Sequence, residues 1–298
     1  MSEKIFKGVG VALVTPFKTG GEIDEEGLRM MVSHLIAHGA DFITVLGTTA
    51  ESATMTPQER EFVVKCVADE NKGRLPLLLG LGGNCTSVLT GEVASCSSLN
   101  YCQGILSVVP FYNKPSQEGM FQHFKAVAAS SKLPVVLYNV PGRTGVNMTA
   151  ETTIRLAESC PNIIGIKEAT GNMQQATDLL KLERKDFSIL SGEDGLVMPL
   201  VAMGFDGVIS VAANLVPQLY SKMIACIKAG DVKAAAALHI RLSDFCVALF
   251  KEGNPCGIKA ALLAAGLIKS QTLRLPLVPV SDALYDSLAK IAEGLQTP

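Results

Sequence analysis

The segment GVGVALVTPF, which runs from Gly8 to Phe17, is rich in valine and glycine and carries no charged side chain. Seven further apolar segments follow, two of which end in charged residues: FITVLGTT, PLLLGLGG, GILSVVPFY, PVVLYNV, NIIGIKE, FSILSGED and GVISVAAN, starting at Phe42, Pro76, Gly104, Pro134, Asn162, Phe187 and Gly207. Such continuously apolar runs are typical of strands that are buried on both faces, as in a parallel sheet. The sequence therefore predicts eight parallel strands.

The segments between these strands have the features of helices. From Glu25 to His38 the apolar residues recur at helical spacing, and Gly39 follows as a stop signal. Thr56 precedes Pro57, which is typical of an N-cap residue followed by a proline in the first turn. Eight strand–helix units over about 225 residues predict an α/β fold of the (β/α)8 TIM-barrel class. A doubly wound sheet is the alternative, but it fits eight even units less well.

The residues beyond the eighth unit carry no strand signal. Three stretches there have helical patterns: Ala234 to Phe250, Ile258 to Leu267, and Ser281 to Leu295. We therefore predict a barrel catalytic domain over residues 1–225 and a C-terminal helical domain over residues 226–298. No low-complexity linker separates the two, so we expect the helical extension to pack on the barrel.

Composition excludes several classes of protein. The chain has 298 residues, of which 48% are hydrophobic, and its formal net charge is −2, which argues against disorder and against nucleic-acid binding. No apolar run approaches the length of about 20 residues that spans a membrane. The charged N-terminus lacks the apolar region of a signal peptide, and the eight cysteines form no CxxC pair. We expect free thiols and a cytoplasmic protein.

In a (β/α)8 barrel the active site lies at the carboxyl ends of the strands, so the polar residues there are the candidates. Lys167 lies near the end of the sixth predicted strand and shares a face with Ile163 and Gly165, because strand residues alternate. If that face points inward, burial favours the neutral amine, which can form a Schiff base with a ketone. Gly165, one pleat below, would leave room for a small substrate. A lysine paired with an acid on the outer face or at the rim is the alternative.

Other polar residues follow neighbouring strands. Tyr138 ends the fifth strand, where a phenol could move protons near the amine or could instead be an interface residue. Thr48 and Thr49 could offer hydroxyl groups to a carboxylate or could cap the loop. Arg143 could bind a carboxylate through two hydrogen bonds or could be a solvated cation. Their coincidence at one rim favours an active site.

Six motifs make the sequence similar to the dihydrodipicolinate synthase family, also called the 4-hydroxy-tetrahydrodipicolinate synthases, within the pyruvate-dependent lyases. They are GTTAES, FYNKPSQEG, YNVPGRTGVN, GIKEATG, SGED and GVISVAAN. The similarity extends from about Val9 to Leu263. It implies condensation of pyruvate with L-aspartate 4-semialdehyde in the synthesis of diaminopimelate and lysine. It also implies a homotetramer, built as a dimer of dimers, with no metal and no organic cofactor.

The resemblance assigns four catalytic roles. Lys167 would form the imine with pyruvate, and Tyr138 would donate and accept protons. Thr48 would connect Tyr138 to Tyr112, which in this family reaches in from the neighbouring subunit.

The resemblance also assigns substrate contacts. Thr49 would bind the carboxylate of pyruvate, and Arg143 would bind the carboxylate of the semialdehyde. The backbone at Ile209 and Gly192 would line the pocket. N-acetylneuraminate lyase and the keto-sugar-acid aldolases share the lysine and the tyrosine, but we expect them to lack the Gly-Arg-Thr-Gly run because their aldehyde is neutral.

Departures from the family pattern carry two further predictions. Ala50 stands where the family usually has glycine, and we expect its methyl group to be tolerated if its φ is negative. Val88 stands where a glutamate would hold the amine of the inhibitor lysine, and Phe111, Pro57 and Arg60 replace other residues of that effector site. Loss of an acidic partner removes a charge-assisted hydrogen bond. We therefore predict weak or absent inhibition by lysine.

Overall fold

A computed structural model describes residues 4–296 of the chain. In it, eight parallel strands form a closed barrel, in which each strand pairs with the next and the eighth pairs with the first. The strands are β1 (Gly8–Ala12), β2 (Phe42–Val45), β3 (Leu77–Gly80), β4 (Gly104–Val108), β5 (Val135–Asn139), β6 (Ile163–Glu168), β7 (Ser188–Ser191) and β8 (Gly207–Ser210). Each predicted apolar segment contains one strand, so the predicted fold class is confirmed.

Within residues 4–296, α-helices alternate with the strands and then continue beyond them. They are α1 (Glu25–Ala37), α2 (Pro57–Asn71), α3 (Thr86–Ser95), α4 (Gln117–Ser130), α5 (Pro141–Thr144), α6 (Ala150–Ser159), α7 (Met173–Leu179), α8 (Val197–Met203), α9 (Pro217–Lys228), α10 (Val232–Phe250), α11 (Cys256–Ala264) and α12 (Asp282–Gln296). Nearly every strand residue is buried, with one face toward the barrel interior and the other toward the surrounding helices. This explains why the strand segments are apolar on both faces.

Local signals set the start of α2 and the end of α1. Thr56 accepts a hydrogen bond from the backbone N–H of Glu59, and the Glu59 carboxylate accepts one from the backbone N–H of Thr56, with Pro57 as the first residue of α2. Helix α1 ends at Ala37, and Gly39 follows with a φ of 85°, in the left-handed region that glycine favours. Both helices therefore lie where the sequence predicts them.

The C-terminal extension is helical and packs against the last helices of the barrel. Helix α10 contacts α8 and α9, and α11 contacts α10 and α12. Helix α11 starts two residues before the predicted Ile258 and ends three residues before the predicted Leu267. It ends early because Gly266, with a φ of 72°, leaves the helical region. Helix α9 crosses the boundary predicted at residue 225, and the division into two domains stays a prediction.

Two further properties bear on the class of protein. Within residues 4–296, no helix is both long enough and apolar enough to cross a membrane. All eight cysteines are unpaired.

Candidate active site

The centre of the candidate site is Lys167, the residue before the last one of strand β6. The pairing of β5 with β6 places it directly beside Tyr138, and its Nζ atom lies 4.5 Å from the centre of the tyrosine ring. Lys167 is buried, with 6% of its surface exposed. Among residues 4–296 it forms no ion pair. The alternative of a lysine paired with an acid at the rim is therefore wrong for the described part of the chain.

Glu168 follows Lys167 in the sequence, and its carboxylate accepts hydrogen bonds from neutral donors. Its Oε2 accepts hydrogen bonds from Nδ2 of Asn139 and Nε2 of Gln175, each at 3.1 Å, and its Oε1 accepts one from the backbone N–H of Thr170 at 2.9 Å. Because these three donors satisfy the buried carboxylate, it needs no cation. The Lys167 amine is left free to react.

Asn139 also holds the loop that carries Arg143. Its Oδ1 accepts a hydrogen bond from the backbone N–H of Met148 at 3.0 Å, and its Nδ2 donates to the Met148 carbonyl oxygen at 3.1 Å. Between these anchors, Arg143 lies in the short helix α5 and is exposed, and its Nη2 lies 3.4 Å from the carbonyl oxygen of Asn254. The guanidinium group is thus over the barrel mouth and open to an anionic ligand.

The ends of β7 and β8 bring backbone close to Lys167. A side chain at Gly192 would place its Cβ 3.1 Å from Cε of Lys167 and 2.5 Å from Cβ of Ala169, so glycine lets the backbone approach the amine. The paired residues at the end of the β7–β8 ladder are Ser191 and Val208. Gly192 and Ile209 therefore follow the last pair, where the two strands separate.

Two carboxyl groups follow Gly192. Burial raises the pKa of Glu193 and of Asp194, and repulsion by Asp194 raises that of Glu193 further. The ammonium charge of Lys167 opposes the shift in both. The Oδ2 atom of Asp194 accepts hydrogen bonds from the backbone N–H groups of Val211 and Ala212, each at 3.0 Å. Asp194 thus holds the loop after β8 while staying within electrostatic reach of the amine.

The loop after β2 carries the two threonines. Thr48, Thr49 and Ala50 form a single 3-10 turn, in which Thr49 is buried and Thr48 is exposed. The Oγ1 atom of Thr49 accepts a hydrogen bond from Nδ2 of Asn254 at 2.9 Å. This places a buried hydroxyl group on the β2 side of the rim, within the reach of the C-terminal extension.

A buried ion pair closes this loop. Glu51 follows the 3-10 turn with a φ of 58°, and its carboxylate accepts hydrogen bonds from Nζ of Lys259 at 2.6 Å and from the backbone N–H of Arg274 at 3.0 Å. The side chains of Glu51 and Lys259 are both 0% exposed. Burial lowers the pKa of Lys259 to about 8, and the attraction of Glu51 opposes that shift.

Tyr112 lies apart from this cluster. It is 87% exposed and has a φ of 73°, and its backbone N–H donates to the carbonyl oxygen of Thr144 at 3.4 Å. Over residues 4–296 of the single chain, no hydrogen bond joins the hydroxyl groups of Tyr112, Thr48 and Tyr138. The structure therefore brings Lys167, Tyr138 and the Gly192 backbone together but leaves Tyr112 pointing away from the chain.

Comparison with known proteins connects this geometry to a family. A model of the dihydrodipicolinate synthetase family matches residues 5–295. The chain belongs to this family. A 4-hydroxy-tetrahydrodipicolinate synthase of Parabacteroides distasonis is 44% identical over 295 residues, which cover 99% of each chain.

Solved structures of the family have the same fold. A dihydrodipicolinate synthase from Thermotoga maritima is 39% identical, with a TM-score of 0.94 over 98% of this chain and 99% of that one. A second, from Acinetobacter baumannii, was determined in complex with pyruvate; it is 36% identical, with a TM-score of 0.92 over 97% and 98% of the two chains.

The backbone conformation at Ala50 shows why alanine is compatible with a position that is usually glycine in the family. Ala50 lies in the 3-10 turn, and it is not among the residues with positive φ in the described chain. Its buried methyl group is therefore compatible with the turn, as expected for a negative φ.

The structure shows a packing reason for Gly165: a Cβ there would lie 2.7 Å from the carbonyl oxygen of Ser188 on β7, so glycine allows β6 and β7 to pack closely. The room that Gly165 would leave for a substrate stays a prediction.

Sequence reasoning also missed three residues of the site's support: Asn254, Lys259 and Gln175. Asn254 and Lys259 carried no signal in the sequence, because their partners Thr49 and Glu51 lie 205 and 208 positions away.

Proposed function

We propose that this chain acts as a 4-hydroxy-tetrahydrodipicolinate synthase, which condenses pyruvate with L-aspartate 4-semialdehyde through a Schiff base on Lys167. The observation that carries the proposal is the unpaired, buried amine of Lys167 beside the ring of Tyr138 at the carboxyl end of the barrel. The full-length relatives that bear this enzyme name support the choice of reaction.

The proposed chemistry starts with attack of the neutral Lys167 amine on the ketone carbon of pyruvate. Loss of water gives an imine, which withdraws electrons and makes the neighbouring methyl group acidic. Removal of a methyl proton gives an enamine, whose carbon attacks the aldehyde carbon of the second substrate. The amino group of that substrate then attacks the imine carbon, which closes the ring and releases Lys167. Since the imine is the electron sink, the proposal includes no metal and no organic cofactor.

Tyr138 and the carboxylate-binding residues complete the proposed site. The Tyr138 hydroxyl moves protons to and from the bound intermediates, because its ring lies beside the amine, with the ring centre 4.5 Å from Nζ. Thr49 binds the carboxylate of pyruvate, and Arg143 binds that of the semialdehyde. The backbone at Gly192 and Ile209 lines the pocket beside Lys167, which the close approach of Gly192 to Cε supports.

The proposed proton relay crosses a subunit boundary. Thr48 connects Tyr138 to a Tyr112 supplied by a neighbouring copy in a homotetramer, a dimer of dimers. The 87% exposure of Tyr112 on the single chain supports this, since a tyrosine buries most of its surface when it has a partner. The eight unpaired thiols support a cytoplasmic location.

A coupled assay tests the reaction. Purified protein receives pyruvate and L-aspartate 4-semialdehyde, with the next reductase of the pathway and NADPH; a parallel sample receives pyruvate and N-acetylmannosamine. We expect NADPH oxidation only with the semialdehyde. Product with the sugar alone would show an aldolase of the N-acetylneuraminate lyase kind, an alternative that Arg143 disfavours because the sugar carries no carboxylate.

Lys167→Ala tests the nucleophile in the same assay. We expect this variant to lose turnover and also to lose covalent trapping of pyruvate by borohydride, because no other amine forms the imine. Lys132→Ala, which removes an exposed lysine, is the matched control and should behave as the unchanged protein does. Trapping by Lys167→Ala at the rate of the control would overturn the assignment.

Tyr112→Phe tests the subunit boundary. We expect this variant and variants that disrupt the dimer to lose activity in parallel, measured together with sedimentation equilibrium. Full turnover by a demonstrated monomer would contradict the relay.

A further inference from the structure

Asn254, in the loop between α10 and α11, contacts both of the residues that the proposed function assigns to substrate carboxylates. Its Nδ2 donates a hydrogen bond to Oγ1 of Thr49 at 2.9 Å, and its backbone carbonyl oxygen lies 3.4 Å from Nη2 of Arg143. It is 7% exposed, and its Oδ1 accepts no hydrogen bond within residues 4–296. A buried amide with one unused acceptor is costly unless the other contacts compensate. Asn254 therefore links the β2 and β5 sides of the rim.

The direction of the bond to Thr49 has a chemical consequence. A hydroxyl group has one proton to donate and two lone pairs that accept. Because the amide N–H of Asn254 occupies an acceptor site of Thr49, the hydroxyl proton remains available for another acceptor. A carboxylate is such an acceptor and cannot itself donate a proton.

The segment that carries Asn254 is tied to its surroundings by the contacts of α11. Helix α11 begins at Cys256, and a Cβ at Gly257 would lie 2.3 Å from the carbonyl oxygen of Leu249, so α11 packs directly against α10. Two residues after Gly257 in the same helix, Lys259 forms the buried ion pair with Glu51, which follows Thr49 by two positions. One segment of the extension therefore holds the β2 loop at two points.

We propose that Asn254 is a positioning residue for the pyruvate carboxylate: its amide orients the Thr49 hydroxyl so that the proton points to the substrate. This inference rests on the proposed function, because it takes pyruvate as the ligand of Thr49.

Borohydride trapping with pyruvate alone tests it, since the readout is independent of the second substrate. For Asn254→Ala we expect the half-saturating pyruvate concentration to rise about tenfold, the effect of losing one positioning hydrogen bond. Trapping at saturating pyruvate should persist. For the isosteric Asn254→Asp we expect a rise of about a hundredfold or more, because its carboxylate accepts the Thr49 proton and repels the pyruvate anion. Asn100→Asp adds the same charge at an exposed, remote position and should leave the concentration unchanged.

A double-mutant cycle separates positioning from a general structural effect. Thr49→Val removes the hydroxyl, so Asn254→Ala should add little in that background, whereas Thr49→Ser keeps the hydroxyl and should keep the sensitivity to Asn254→Ala. Additive effects of Thr49→Val and Asn254→Ala would overturn the proposal. Circular dichroism checks the fold, and if Asn254→Ala fails to fold, Asn254→Asp, which keeps the shape of the side chain, carries the test.

The two proposals fail differently. If the unchanged protein traps no pyruvate, the proposed function itself is wrong. If it traps pyruvate but both Asn254 variants keep its concentration dependence, the function stands and the positioning role of Asn254 is wrong.

Discussion

The β5–β6 side and the β2 side of the barrel rim hold their polar side chains by different means. On the β5–β6 side, strand pairing places Tyr138 beside Lys167, and the Asn139–Glu168 hydrogen bond spans 29 positions of the chain. On the β2 side, Thr49 and Glu51 are held by partners 205 to 223 positions later, in the extension. The contacts among Lys167, Tyr138 and Glu168 lie within the barrel, and only Arg143 on that side reaches the extension. The β2 side needs the C-terminal extension.

Two buried lysines show the same difference. Lys167 has no ion pair within residues 4–296 and lies against an aromatic ring, whereas Lys259 is paired with Glu51 at 2.6 Å. Lys259 also lies 4.1 Å from the centre of the Phe17 ring, so an aromatic contact alone does not separate them. A lysine without an ion pair suits a nucleophile, and a lysine in an ion pair suits a structural role. The comparison therefore predicts chemical losses on one side and stability losses on the other.

The largest effect is expected for Tyr138→Phe on the β5–β6 side. Loss of the hydroxyl to which we assign proton transfer should lower kcat by about 10²–10⁴-fold. The fold should be retained, because that hydroxyl has no hydrogen-bond partner among the described residues. The coupled assay measures this, with Tyr101→Phe as a control at a half-exposed tyrosine. A loss of kcat no greater than that of the control would remove Tyr138 from the chemistry.

Lys259→Met should act on stability instead. It leaves the buried Glu51 carboxylate without its cation, which should lower the free energy of unfolding by about 3–5 kcal/mol. Adding Glu51→Gln should recover part of the loss. Urea denaturation measures both, with Lys269→Met, which breaks an exposed pair with Glu26, as the control that changes little. Equal losses in the single and double variants would show that the ion pair is not the cause.

Glu59→Gln should have a smaller, pH-dependent effect on the same side. Hydrogen bonds from the Arg274 guanidinium lower the pKa of Glu59 from its ordinary 4.5 to about 2. The stabilisation by the ionised group is complete above about pH 4.5 and is lost as the pH falls toward 2.

Urea denaturation between pH 7 and pH 3 checks this. The wild-type protein should be more stable than Glu59→Gln by about 1 kcal/mol at pH 7, and the difference should shrink at pH 3. Glu158→Gln removes an exposed carboxylate outside any ion pair of the described chain and should show no such trend. A difference that is constant with pH would rule out the Arg274 contact as its source.

The smallest effect is expected from added lysine. Nε of Arg60 in α2 donates to the carbonyl oxygen of Ser52 at 3.1 Å, and Val88 in α3 is 67% exposed. A fixed cation and a missing carboxylate both disfavour a lysine ligand. In the coupled assay, half-inhibition at sub-millimolar lysine would contradict this prediction. Val88→Glu adds an acidic group and should lower the lysine concentration that gives half-inhibition.

Much of the catalytic side could be predicted from the sequence. Tyr138 and Lys167 each lie near the end of an apolar segment, and adjacent parallel strands bring their carboxyl ends together. The packing role of Gly165 could not be predicted, because its reason is the backbone of β7, which only the strand pairing locates. Asn254 had no signal either, since a residue in a Pro-containing turn gives no indication of a partner 205 positions earlier.

The sequence by itself determined the eight strands, the N-cap of α2, the glycine stop after α1, and the strand ends on which the candidate side chains lie. These depend on periodicity and on contacts between near neighbours, which a linear pattern records. Only the tertiary structure decided that Lys167 has no ion pair within residues 4–296, that Lys259 forms one with Glu51, and that Asn254 donates a hydrogen bond to Thr49. Those outcomes depend on which groups meet when the barrel closes and the extension packs on it. Such long-range contacts produce no regular pattern in the sequence.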